Sequence, residues 1–227
     1  MSEPQLDDVS SKMQVYLAKI YRLADFAGTK GYITTSALAD TLFVTAPAVN
    51  RTVNRLKEAG LLDHEPYRGI KLTDKGRREA LRHLRLQRIA EAFLSTVMGL
   101  DWATAHEEAD NISPTLSPTI VERMTTMAKH PRYCPHGEPI PNNDGTIEEL
   151  NDILLSQVTA AHSAIVTRMR TRDTDRLHYI SALGLLPGTP LDVLHVAPFN
   201  GPMQLKIKNE YRIIGNNLAE LIRVQVV

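Results

Sequence analysis

One cysteine, Cys134, is the whole thiol content of this 227-residue chain. That excludes an internal disulfide and any zinc site made of several thiolates, and it agrees with a reducing compartment. Aromatic residues are scarce at 5%, yet hydrophobic residues reach 43%, which suits a globular chain and not a disordered one. No stretch approaches the ~18 uninterrupted apolar residues that would cross a bilayer. The start, "MSEPQLDDVSSK", is acidic and polar where a signal peptide would be basic and then apolar. A cytoplasmic protein without a membrane partner is expected. Also missing are a phosphate-cradling glycine loop, a recognisable nucleophile and a pair of catalytic acids.

Net charge is absent too, with 26 basic and 26 acidic residues, but the balance is local. Residues 45–90 hold 11 Lys/Arg against 5 Asp/Glu, whereas residues 91–160 hold 3 against 11. A basic segment followed by an acidic one suits a polyanion-binding module joined to a module with another task, such as cation binding.

The basic part contains "TTSALADTLFVTAPAVNRTVNRLKEAGLL". Thr34 or Thr35 can cap a short helix through Leu42. Thr45, with Pro47 close behind, starts a second helix, because proline in a first turn loses no hydrogen bond. Gly60 supplies the stop. Val49, Val53 and Leu56 share a stripe, while Asn50, Arg51, Asn54, Arg55 and Lys57 point elsewhere. Two short helices joined by "FVT" read as a helix-turn-helix, and arginine and asparagine are the side chains that base edges and phosphates call for. "LLDHEPYRGIKLT" then reads as two short strands around an Arg-Gly turn, a wing that places Arg68 and Lys71 beside a duplex backbone.

Thr73 caps a long helix of some seven turns reaching Gly99. Helices are expected at 101–112 and 118–129, the second opening on a Ser-Pro entry. "HPRYCPHGEPIPNNDG" is too rich in Pro, Gly and Asn to be helical. A short helix near 147–158 should follow. From Ala164 onward the chain alternates, with "LGLLPGTPLDVLHV", "MQLKIK", "YRIIG" and "LIRVQVV" as candidate strands of a small antiparallel barrel.

The order of "VYLAKIYRL", the winged helix-turn-helix, "LTDKGRREAL", "GLDWATAHEEA", "CPHGEPIP" and the terminal strands resembles the diphtheria toxin repressor family of iron- and manganese-dependent regulators, in its long form with a FeoA-like, SH3-like third domain. The resemblance covers essentially the whole chain. It implies a mostly α fold with a winged helix-turn-helix DNA-binding domain (1–73), a helical dimerisation and metal-binding domain (74–141), a linker (142–160) and an SH3-like small β-barrel (161–227). It also implies a homodimeric repressor of metal homeostasis genes that binds a divalent metal, Mn2+ or Fe2+ with Zn2+ as competitor, and grips a double-stranded operator. Thr45, Pro47, Asn50 and Arg51 fall at the base-reading end of the recognition helix, and Arg55 and Arg68 at phosphate-contacting positions. Arg51 stands where the family often has glutamine, so a different operator preference is expected.

The family's ancillary metal site maps onto Gln87, Glu91 and His106, with Arg170 and Asp173 at the barrel positions, of which only Asp173 can coordinate. Gln87 replaces an imidazole by an amide oxygen that still serves a hard cation. The family's regulatory site maps onto Val15, Ala18, Asp110, Ser113 and Pro114, where Asp110 alone keeps a metal-binding carboxylate. Pro114 also disfavours helix at Ser113, so the helix should end near Ile112. Metal regulation is therefore expected to run through Glu91 and His106, joined by Gln87 and Asp173, with Asp110 a remnant carboxylate beside them. Glu107 and Glu108 read as a solvated helix face, His83 as a surface histidine able to replace the missing imidazole, and Cys134 and His136 as a packed loop. Two other functions stay open: a repressor of the same fold that has lost metal dependence and senses another signal, and, more remotely, an enzyme using His106 with its carboxylate neighbours as acid/base groups.

Overall fold

The computed structural model of the protein describes residues 10–27 and 31–227; the acidic N-terminal stretch lies, through residue 9, outside them. The chain divides into two compact units, Met1–Leu86 with Pro141–Ile147, and Gln87–Ile140 with Glu148–Val227.

The first unit holds α1 (Ser11–Ala27), α2 (Thr35–Leu42), α3 (Ala46–Glu58), β1 (Leu62–Glu65), β2 (Gly69–Leu72) and the first half of α4 (Asp74–Thr96). The Thr34 hydroxyl accepts from Ala37 N at 3.1 Å and starts α2, and Pro47 lies in the first turn of α3. Between these helices Phe43 takes a left-handed φ of 52°, which turns the chain in a single residue. The expected stripe faces inward: Val49, Val53 and Leu56 are buried with Leu17, Ile20, Leu38 and Ile70. Burying each such side chain contributes roughly 1.5–3 kcal/mol before chain entropy is counted. β1 and β2 pair antiparallel, Leu62 opposite Leu72, and Ile33 bridges Ile70, so the segment before α2 is stitched to the wing. Gly69, at φ 106°, is required there, since a side chain would strike the Ile33 carbonyl. The Thr73 hydroxyl accepts from Gly76 N and opens α4.

The second unit joins the rest of α4 to α5 (Trp102–Ile112), α6 (Pro118–Met127) and a six-stranded antiparallel sheet. Its strands are β3 (Ile153–Leu154), β4 (His162–Met169), β5 (Pro190–Val196), β6 (Met203–Ile207), β7 (Glu210–Ile214) and β8 (Ile222–Val226), in the order β3-β8-β4-β5-β6-β7. Helices α7 (Thr174–Ala182) and α8 (Asn216–Ala219) complete it. Trp102 and Ala103 of α5 belong to the same core as Val166, Leu177, Leu205 and Val224, so helices and sheet share one apolar interior. α5 stops at Ile112, as expected, but Ser113 keeps right-handed helical angles (φ −55°, ψ −35°) and the chain continues as a 3-10 turn, Ser113–Thr115, so Pro114 ends the α-helical hydrogen bonding without moving Ser113 out of the helical region.

The fold class is the one expected, with two local corrections. No α-helix forms at 147–158: Asp152 is held by Thr167, Arg168 and Arg223, Ile153 and Leu154 pair with β8, and Leu155, buried in the core, opens a single 3-10 turn, Leu155–Gln157. The chain reads as alternating from Ala164 onward, with a candidate strand from Leu183, yet α7 stands before β5 and that strand begins only at Pro190. Asp173 caps that helix, and Leu177 and Ile180, three residues apart, bury one face. Among the described residues no helix is long and apolar enough to cross a membrane.

Candidate metal centre and nucleic-acid interface

Three elements of the second unit converge on one buried point. Helical spacing puts Gln87 and Glu91 on one face of α4, and His106 and Asp110 on one face of α5. The third contributor is the loop 131–140, a tight structure in which Cys134 N donates to Glu138 O at 2.9 Å and Gly137 N to Cys134 O at 2.9 Å. Gly137, at φ 82°, lets this loop lie against the Thr167 carbonyl of β4, where a side chain would collide. His136 is thereby turned inward, and its carbonyl accepts from Met169 N at 3.0 Å.

His106 Nδ1 lies 2.6 Å from Glu91 Oε1, and His136 Nδ1 lies 3.5 Å from Glu91 Oε2. One donor atom from each of Glu91, His106 and His136 falls within 4.8 Å of the others, and all three residues are buried. The two imidazoles meet edge to face, and Trp102 stacks on His136 with 5.7 Å between ring centroids. Asp110 Oδ2 is 3.8 Å from His106 Nε2, and the Gln87 amide donates to the Asp110 carboxylate. Cys134 Sγ stands 3.8 Å from His136 Nδ1.

Burial works against the charge on Glu91, but the imidazoles of His136 and His106 outweigh it and hold the carboxyl well below its usual range. Burial, with Arg172 adding to it, pushes His136 down to about 4, so its ring is neutral with a lone pair to give. Burial, then Glu91 and Glu138, raise the Cys134 thiol. Behind the loop, Arg88 donates to Glu138 at 2.6 Å and to the Pro139 carbonyl at 2.6 Å, while Arg172 Nη2 lies 2.9 Å from the same Glu138 carboxylate. Both guanidinium groups thus pair with the buried Glu138, while the partners of Glu91 are the two imidazoles.

The donors fit a divalent cation. Glu91 Oε2 and His136 Nε2 are buried with no hydrogen-bond partner, and one carboxylate with two imidazoles is a set that iron, manganese and zinc accept.

Gln87, Glu91, His106 and Asp110 gather at this point as a group. Asp173 does not join them: its carboxylate accepts from Arg176 N at 2.9 Å as the cap of α7. Arg170 donates to the Glu220 carbonyl, and Arg172 is the residue of that segment that reaches the centre. His83 is buried on the part of α4 that belongs to the first unit. Glu107 and Glu108 are exposed, Glu107 accepting from Thr174 at 2.9 Å. His136 is the residue that pattern reading passed over. Its signal was there in "CPHG", one of the most family-specific stretches, but a loop histidine has no helical spacing to tie it to Glu91.

In the first unit Thr45, Pro47, Asn50, Arg51 and Arg55 are all exposed along the outer face of α3. The Thr45 hydroxyl makes no capping bond, so it stays available to a ligand. Arg68 at the wing is exposed but engaged, its Nη1 donating to Glu65 Oε2 at 2.7 Å.

Family models match along nearly the whole chain. The iron dependent repressor N-terminal DNA binding domain matches residues 8–70, the iron dependent repressor metal binding and dimerisation domain residues 73–142, and the FeoA domain residues 153–226. The iron-dependent repressor IdeR of Mycobacterium tuberculosis is 26% identical over 234 residues, covering 98% of this chain and 100% of IdeR. A manganese-dependent transcriptional repressor solved in complex with manganese superposes with a TM-score of 0.88 at 28% identity, covering 95% of this chain and 100% of its own. ScaR with bound Zn2+ superposes at 0.78 and 28% identity, covering 94% and 98%. With its three parts matched in order around this buried donor cluster and basic helix, the chain belongs to the diphtheria toxin repressor family of iron-dependent repressors.

Proposed function

We propose that this protein is a cytoplasmic, homodimeric, metal-responsive repressor of metal homeostasis genes, whose ion is held by Glu91, His106 and His136 with Gln87 and Asp110 at its margin. The observation that carries the reading is the buried cluster itself, in which a carboxylate oxygen and an imidazole nitrogen lack hydrogen-bond partners. Val15, Ala18 and Pro114 offer no donor side chains where relatives hold their regulatory ion, so sensing falls to this cluster. Fe2+ and Mn2+ are the ions we assign, and Zn2+ competes because two imidazoles suit it well. The ion would supply the positive charge that ties α4, α5 and the loop 131–140 to one point. Thr45, Pro47, Asn50 and Arg51 then read an operator, and Arg55 and Arg68 hold its phosphates. The division of labour follows residues 1–73 for DNA, 74–141 for dimer and metal, and 161–227 for the FeoA-like domain. The family is one of repressors and not of enzymes, and in our reading the histidines of the cluster serve as ligands.

A second reading, a repressor freed from metal, is favoured by one observation: Glu91 already lies 2.6 Å from His106 Nδ1 and 3.5 Å from His136 Nδ1, and the neighbouring Glu138 is paired with both Arg88 and Arg172, so the cluster is held together by its own contacts. Titration calorimetry with Mn2+, Fe2+ and Zn2+ on wild type, His106→Ala, His136→Ala and Asp110→Ala separates the two, alongside operator binding with and without metal. Loss of binding in both histidine variants, with Asp110→Ala retaining it, supports the proposed ligand set. Tight operator binding by chelated wild type, with no metal uptake, establishes the metal-free repressor instead.

A further inference from the structure

The wing carries a feature that phosphate contact alone does not explain. Arg68 stands with its guanidinium carbon 4.2 Å from the centre of the Tyr32 ring, and Lys71 Nζ is 5.4 Å from the same ring. The Tyr32 hydroxyl donates to one oxygen of Glu65, and Arg68 Nη1 donates to the other at 2.7 Å. Two segments thus brace one side chain: Tyr32, which precedes α2, and Glu65, which ends β1, hold Arg68 of the turn between the strands. Their alignment is dictated by the backbone. Ile33 N donates to Ile70 O and Ile70 N to Ile33 O, both at 2.9 Å, which fixes Tyr32 beside the wing, and Gly69 makes that approach sterically open.

A surface ion pair between two free side chains contributes little and gives no fixed direction. Here a ring lies under the guanidinium and a carboxylate bridges it to that same ring. Arg68 nevertheless keeps 58% of its side chain exposed, and one hydrogen bond to Glu65 uses one of the five donors of its fork. An arginine ordered in advance loses less conformational freedom when it binds a phosphate oxygen. Glu65 has a second effect. Asp63 and Glu65 equal Arg68 and Lys71 in number, so the wing has no net charge to attract DNA by itself.

We infer that Tyr32 and Glu65 are positioning residues for DNA binding, forming a clamp that presents Arg68 to the duplex backbone. This rests on the DNA-binding reading above. The clamp makes Tyr32, a residue outside both the recognition helix and the wing hairpin, matter to affinity only through Arg68.

The test is a double-mutant cycle on the full-length, metal-loaded protein. It uses an operator selected from a random duplex library and a mixed-sequence duplex, each titrated by anisotropy across a range of salt. Arg68→Ala is expected to weaken binding to both duplexes alike and to reduce the salt slope by about one for each wing. Tyr32→Leu should weaken binding about two- to fivefold and flatten the same slope, Tyr32→Phe, which keeps the ring, should stay within about twofold of wild type, and Tyr32→Leu added to Arg68→Ala should change nothing more. Independent, multiplying losses from Tyr32→Leu and Arg68→Ala overturn the clamp, as does tighter binding by Tyr32→Leu, which would mean that Arg68 is sequestered. Should Arg68→Ala bind like wild type, the wing leaves the interface and the clamp goes with it while the recognition helix stands. A wild type that selects no operator removes the DNA-binding reading itself.

Discussion

His136 shows how much one side chain decides here. Its ring is buried against Trp102, faces Glu91 and is held neutral, with a pKa of about 4 against an ordinary 6.5. Between those values the unfolded chain takes up a proton that the folded chain refuses, so stability is full above about 6.5 and falls as pH drops toward 4, by up to about 3 kcal/mol. His136→Phe keeps a flat ring for Trp102 while removing the nitrogens. Denaturant unfolding of the metal-free protein at pH 7, 5.5 and 4.5 should show a shallower pH dependence for this variant than for wild type, and calorimetry should show lost metal binding. A variant that tracks wild type through the window would mean that His136 does not titrate on unfolding. Asp173 gives the opposite case. It bonds the first turn of α7, so Asp173→Ala should cost about 1 kcal/mol of stability and leave metal affinity unchanged. Weakened metal binding at preserved stability would return Asp173 to the ligand set.

At the scale of elements, α3 divides its work along its two faces. Val49, Val53 and Leu56 fasten it into the first unit, leaving Asn50, Arg51 and Arg55 on the exposed side. Arg51→Ala should lower operator affinity by about 1–3 kcal/mol and relax preference at one position in each half-site. Equal loss on operator and mixed-sequence DNA would deny Arg51 a base-reading role. Arg55→Ala should weaken all duplexes similarly and reduce the salt slope by about one per subunit, and an unchanged slope would move it off the phosphates. Both helices of this motif, the wing and the stop of α5 before Pro114 were legible in the sequence, because each depends on caps, prolines and glycines close to the element they control. The strand at Ile153–Leu154 and helix α7 were not. Their local patterns are weak, and their form is set by β8, by the arginines around Asp152 and by the core that receives Leu177 and Ile180.

For the whole molecule, family membership implies a dimer that reads a two-fold operator. Two recognition helices in successive major grooves require half-sites about one turn of DNA, ~34 Å, apart or a multiple of it. Sedimentation of the protein with its selected operator, together with hydroxyl-radical footprinting, should find an even number of subunits and protections in that spacing. A monomer protecting a single half-site would contradict the proposed assembly.

By itself, the sequence determined the order of parts, the two faces of the recognition helix, the loss of donors at Val15, Ala18 and Pro114, and the survival of Glu91 and His106. These are properties of residue type and short-range spacing, which a chain carries whether folded or not. Only the tertiary structure decided that His136 belongs with Glu91, that Asp173 is occupied as a cap, that Arg172 stands at the centre, and that Tyr32 lies beneath Arg68. Those contacts join residues 34 to 45 positions apart, or set a side chain's role by the element around it, and no local period records them. Hydrophobic packing and hydrogen bonding between distant segments placed them there.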